Sequence, residues 1–262
     1  MTETEWLGCT DPEKMLEFLR GDTTGRKLRL FAVACCRRAW DRLPNERSRW
    51  AVQVIEQHIE GQATDEELRS AAAEAERAYR SVKEQVLANR VGPDLARRAA
   101  LVPRGLFDLT NRQAAADAHN AADGDPVVLT ASAVWTATSL EVELEAAGYT
   151  LLDSAINTAN QASDAAPNPA AEMQAQAALL RDIFGNRFRT VDVNPEGLEW
   201  NDGTVPRIAQ AIYDDRAFDR MPVLADALED AGCTDRAILG HCRQSGEHVR
   251  GCWVVDLILG KE

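Results

Sequence analysis

The chain has 262 residues, of which 45% are hydrophobic and 27% charged, and 42 acidic residues outnumber 29 lysines and arginines for a formal net charge of −13. That length and usage suit one large globular domain or two small ones and exclude global disorder. The excess negative charge repels phosphate backbones and anionic lipid alike, which argues against a nucleic-acid groove or a membrane-surface role.

The opening residues, Met1 to Lys14, are polar and acidic and lack the basic and apolar regions of a secretory signal. No window is apolar over the roughly 18 residues that a membrane helix needs. A cytoplasmic location is therefore expected, with the six cysteines (Cys9, Cys35, Cys36, Cys233, Cys242, Cys252) kept as free thiols.

Asp11-Pro12 is the first helix signal, an N-cap followed by proline at the first helical position, and Gly21 ends that helix. A second helix is predicted from Gly25 to Leu43, with Leu28, Phe31, Ala32, Cys35 and Ala39 at helical spacing. Arg37, Arg38 and Arg42 suit its negative end, whereas Arg26, Lys27 and Arg29 oppose its positive end and call for carboxylates from elsewhere. Cys35 and Cys36 read as buried small hydrophobes. Asn45 caps a helix reaching Glu60, and Thr64 to Glu67 form a capping box that opens a long Ala- and Glu-rich helix to Asn89.

Short helices are predicted within 91–105 and over 111–122. The segment Val127 to Ala147 carries many β-branched residues, so a strand is an alternative, but its length and acidic end favour helix. Helices follow over Leu151 to Ser163 and Ala170 to Phe184. Residues 186–203 have no helical period and read as a linker or irregular insertion. Thr204, Asp219 and the pair Thr234-Asp235 then open three helices, and a last one holds Trp253 to Ile258. The expected fold class is all-α, a multi-helix bundle or irregular α-solenoid-like array of about a dozen helices. The expected organisation is a helical domain over 1–185, the linker over 186–203, and a C-terminal helical subdomain over 204–262 packed on the first.

Candidate chemistry concentrates near the C-terminus, where Cys233, His241, Cys242, His248 and Cys252 lie close together. Thiolate and imidazole are zinc ligands, and His248 and Cys252 would share a face if that stretch were helical. The spacing matches no standard finger, and the alternative is a set of core cysteines with polar surface histidines. The carboxylates from Asp214 to Asp230 read as caps and a solvated helix face. No serine, His58 or His119 has a nucleophile or base at motif spacing, and no phosphate-binding glycine loop is present, so no catalytic residue is assigned.

Both ends of the chain resemble a family of uncharacterised helical proteins abundant in planctomycete bacteria. The likeness rests on EWLGCTDPEKMLEFLRG and RKLRLFAVACCRRAWDRLPNERSRWAVQVIEQHIEG, and on QAALLRDIFGNRFR with VPRIAQAIYDDRAFDRMPVLADALEDAGCTDRAILGHCRQSGEHVRGCWVVDLILGKE. It covers Glu5 to Gly61 and Gln176 to Glu262, with the alanine-rich middle as the variable part, and it brings no activity or cofactor. Residues Pro222 to Gly232 are also similar to the LADWLEERGD helix of another planctomycete repeat module, with Ala227 in place of its tryptophan.

Three functions follow as expectations. The first is a non-enzymatic helical module (scaffold, adaptor or regulator) that binds another protein. The second is an acidic inhibitor or immunity-type protein that binds a basic effector. The third is a zinc-binding protein or metal-dependent enzyme built on the C-terminal Cys/His cluster.

Overall fold

A computed structural model describes residues 1–43, 45–91, 122–138, 151–191 and 194–261. Among them are twelve α-helices and no strand: α1 Glu3–Gly8, α2 Pro12–Phe18, α3 Gly25–Arg38, α4 Glu46–Ile59, α5 Asp65–Val91, α6 Pro126–Thr138, α7 Leu151–Asp164, α8 Pro169–Phe184, α9 Pro195–Asp215, α10 Met221–Asp230, α11 Arg236–Arg243 and α12 Trp253–Leu259. The all-α class is as expected. None of these helices is long and apolar enough to cross a membrane. The helices expected within 91–105 and over 111–122 lie almost wholly outside the described residues.

Local chemistry explains most helix starts. Asp11 accepts from the amides of Glu13 and Lys14, Asn45 from that of Ser48, and Asp235 from those of Ala237 and Ile238. The Thr64 box is closed by Glu67 N–H to Thr64 Oγ1 (3.2 Å) and Thr64 N–H to Glu67 Oε2 (2.7 Å). A second box, Thr2 with Glu5, starts α1, a helix that the sequence reading passed over. Asp219 is a correction: it lies inside the 3-10 turn Phe218–Arg220 and caps nothing, since α10 starts behind Arg220 without a side-chain cap. The β-branched stretch is helical as α6, where Thr130 and Thr138 turn their hydroxyls onto the carbonyls of Pro126 (2.7 Å) and Val134 (2.9 Å).

The chain divides into two compact units, Met1–Ala34 with Gln174–Glu262, and Cys35–Met173. This differs from the expected boundary at 186–203. That stretch is not simply a linker: α9 begins at Pro195, capped by Asn194, and breaks at Trp200 to Gly203, where Asn201, Asp202 and Gly203 all have positive φ. Composition reveals where a helix is interrupted but not which helices share a core. In the discontinuous unit Trp6 Nε1 donates to Gly185 O (3.0 Å), and Arg181 Nη1 donates to Cys9 O (2.9 Å), so the first helix is tied to the end of α8. Its C-terminal core gathers Ile212, Met221, Leu224, Ile238, Cys242 and Val255 from α9 to α12.

In the Cys35–Met173 unit α4, α5, α6 and α7 pack as neighbours. Ala71, Ala75 and Ala78 of α5, Ala131 of α6 and Ala155 of α7 are fully buried. Such small residues let helix backbones approach closely. Cys35 and Cys36 are buried as expected, and burial pushes the Cys36 thiol up to about 12.

A candidate metal centre from four buried donors

Four side chains of the discontinuous unit converge: Asp182, His241, His248 and Cys252, each offering a donor atom within 4.8 Å of the others. None is more than 9% exposed. Asp182 stands in the last turn of α8, on the stripe of Leu179 and Ile183. His241 comes from α11. His248 comes from the connection between α11 and α12, and Cys252 is the N-cap residue of α12.

The connection is not helical, so the shared helix face imagined for His248 and Cys252 does not exist. They converge because the loop turns back on itself. Gly251 sits at φ +92, a conformation that side chains with a Cβ disfavour, and Cys252 N–H donates to Val249 O (3.0 Å). Val249 N–H in turn donates to Asp182 Oδ2 (3.0 Å), which pins the loop to α8.

The donors are already in contact. His248 Nδ1 lies 2.6 Å and His241 Nε2 3.2 Å from Asp182 Oδ1, and His241 Nε2 lies 3.2 Å from Cys252 Sγ. Ligands on a tetrahedral zinc at bonds of about 2.0–2.3 Å are spaced roughly 3.3–3.5 Å apart, so the two 3.2 Å separations already approach that spacing. The 2.6 Å contact is shorter and is a hydrogen bond, whose proton a cation would displace. Gln244 Nε2 lies 3.1 Å from His241 Nδ1. If its amide turns over, its oxygen accepts from Nδ1–H and the proton-free Nε2 presents its lone pair to a cation. Among the described residues His248 Nε2 is buried without any hydrogen-bond partner.

Burial works against the Asp182 carboxylate, but hydrogen bonds from His241 and His248 outweigh it and hold the group below its ordinary value. Burial pushes the Cys252 thiol well above its ordinary value, with the Asp182 charge adding to it, while the amides of Val255 and Val254 oppose the rise. Without a cation the thiol therefore stays protonated. A divalent ion changes that balance. One carboxylate, one thiolate and two neutral imidazoles sum to a neutral complex with Zn²⁺, the condition under which these charges tolerate a dry site.

Of the five donors singled out in the sequence, three therefore meet: His241, His248 and Cys252. Cys242 points into the apolar core at 0% exposure, its thiol pushed up to about 12 mainly by burial, and Cys233 is packed at the edge of the same core. Asp182 was missed, 66 residues upstream of His248. Its signal was a carboxylate on the apolar stripe of an amphipathic helix.

Compared with known proteins, the chain matches no family model, no curated protein and no solved structure.

Proposed function

We propose that this chain is a zinc-binding helical protein whose metal has a structural role, with Asp182, His241, His248 and Cys252 as ligands. The observation that carries the reading is the convergence of four mixed N, O and S donors at a buried point where α8, the α11–α12 connection and two C-terminal helices meet. Nitrogen, oxygen and sulfur donors together suit zinc better than the harder calcium or magnesium ions, which take oxygen. Four protein ligands with no exposed donor fill a tetrahedral shell and leave no position for substrate, the pattern of a structural rather than a catalytic ion.

Cys252, His241 and Asp182 also contain the residue types of a thiol-hydrolase triad. Burial argues against that use: Cys252 is 0% exposed, and a thiol held protonated is a poor nucleophile. Of the three functions raised by the sequence, the geometry supports the zinc-binding one. The scaffold and acidic-inhibitor readings rest on composition and charge.

The test is elemental analysis of protein purified without a metal-binding tag and dialysed against zinc. One zinc per chain is expected, falling to background in Asp182→Asn and His248→Ala while helical circular dichroism persists. Zinc-free protein whose melting temperature ignores both zinc and a strong chelator would refute the reading.

A further inference from the structure

The charge conflict at the start of α3 is resolved for one residue and not for the other. The first turn of this helix holds Arg26 and Lys27 and no acidic residue, against the positive end of the helix dipole. Arg26 is answered: its Nη1 donates to Asp256 Oδ2 at 2.7 Å and its Nη2 to the Tyr213 hydroxyl at 2.8 Å. Lys27 donates instead to the uncharged carbonyl of Ile183 (3.2 Å), with its ammonium 5.9 Å from the centre of the Phe184 ring. Burial, the largest influence, pushes Lys27 below its ordinary range; the pull of Asp256 is offset by the nearby Arg187 and Arg26 charges.

Lys27 lies on the wall of a cavity of about 860 Å³ formed by the turn before α3, the segment after α8 and α12. Arg187, Arg189 and Lys261 lie on the same wall. The wall's carboxylates are Asp22, which takes Nη2 of Arg187 (2.5 Å), and Asp256, which takes Arg26 (2.7 Å), while Arg189 is held through its Nε by Glu3 (2.7 Å). The rest of the wall includes the aromatic surfaces of Phe184 and Trp253. Gly185 makes room for the latter, since a Cβ there would stand 3.1 Å from the indole ring. None of the four metal donors lines this cavity, which is a separate site.

We propose that this cavity binds a phosphorylated small molecule, with its phosphate or diphosphate held by Lys27 and Arg187 and its remaining part against Phe184 and Trp253. Against a net charge of −13, a concave wall that carries four cationic side chains and two carboxylates is a local exception. A phosphate has enough oxygens to meet the point charge of Lys27 together with the Nε–H and Nη1–H groups of Arg187, whose Nη2 is given to Asp22. The volume is that of a small-molecule site.

Isothermal titration of the full chain with inorganic phosphate, pyrophosphate and ADP tests this, alongside Lys27→Gln, Arg187→Gln and the surface control Lys14→Gln. Saturable one-to-one binding is expected, weakened about 10-fold or more by Lys27→Gln and by Arg187→Gln and unchanged by Lys14→Gln. Arg187 is at the surface, so its variant keeps the test valid if loss of Lys27 disturbs folding. ADP binding tighter than pyrophosphate assigns a nucleotide-like ligand, and equal binding assigns the phosphate group alone. No saturable binding of any of the three, or binding that both variants leave intact, overturns the proposal.

Discussion

Two regions of the molecule bury carboxylates in opposite ways. In the Cys35–Met173 unit Glu56 and Glu172 each meet an arginine in a two-point contact: Arg37 Nε at 3.0 Å and Nη2 at 2.5 Å, and Arg38 Nε at 2.9 Å and Nη2 at 3.0 Å. The guanidinium charge is permanent at any ordinary pH, so each carboxylate has a fixed counter-charge. In the other unit Asp182 meets two imidazoles and a thiol, none of which carries an obligatory charge. A cluster of conditional donors is complete only with something added, whether protons or a metal ion. The contrast separates burial that serves packing from burial that serves binding.

The largest expected effect breaks the comparison at its conditional end. Zinc should stabilise the folded chain by about 4 kcal/mol when free metal is 1,000-fold above its Kd. Chelation should therefore remove amide-exchange protection from α11, α12 and the end of α8, with no matching change in α4 and α5. Hydrogen exchange with and without chelator reads this directly, and uniform loss across both units would count against a local metal site.

Next comes the permanent end. Arg38→Leu removes the two-point contact from the buried Glu172 and should cost about 3 kcal/mol, the low end for a buried pair because Arg38 is partly solvated. Adding Glu172→Leu should recover most of that loss, since the cost lies mainly in a buried carboxylate that has lost its guanidinium. Urea unfolding of the two variants decides it; a double variant no better than the single would show the pair itself to be stabilising.

A smaller effect concerns the turn that delivers Cys252. Gly251→Ala places a Cβ at φ +92 and 2.9 Å from Leu30 Cδ1, for an expected loss of about 1–2 kcal/mol. It should also weaken metal retention more than an equally destabilising substitution in α5. Competition against a chromophoric chelator measures that difference.

The smallest effect compares the two capping boxes, one in each unit. Hydrogen bonds from Thr2 hold Glu5, and those from Thr64 hold Glu67, below the ordinary value of 4.5. A carboxylate with a lowered folded pKa stabilises above its unfolded value, and that contribution is lost as pH falls through the folded one. Both boxes should thus weaken only below about pH 4.5. Thr64→Ala should lower the melting temperature by about 2–4 °C at neutral pH and by less in acid. A shift that stays the same in acid would remove the carboxylate from the explanation.

The sequence by itself determined the class and most of the helices, because caps, glycine stops and apolar spacing act within a few residues. Asp11, Asn45, Thr64 and Asp235 start helices for reasons visible in four consecutive letters. The same locality explains the misses. Asp219 has the chemistry of a cap, but a 3-10 turn uses its position otherwise, and the Thr2–Glu5 box lay ahead of the first signal recognised.

Only the tertiary structure decided what meets what. The pairing of Trp6 with Gly185 and of Arg26 with Asp256 joins the two ends of the chain in one unit, at sequence separations of 179 and 230 residues. Three of the metal donors could be nominated from their residue types, but Asp182 could not, since a carboxylate inside LLRDIF is recognisable as a ligand only once a folded loop brings imidazoles to it. Burial then discriminated among equal letters. Cys242 and Cys252 read alike in the sequence, yet one faces hydrocarbon and the other faces His241, and that difference belongs to packing between helices.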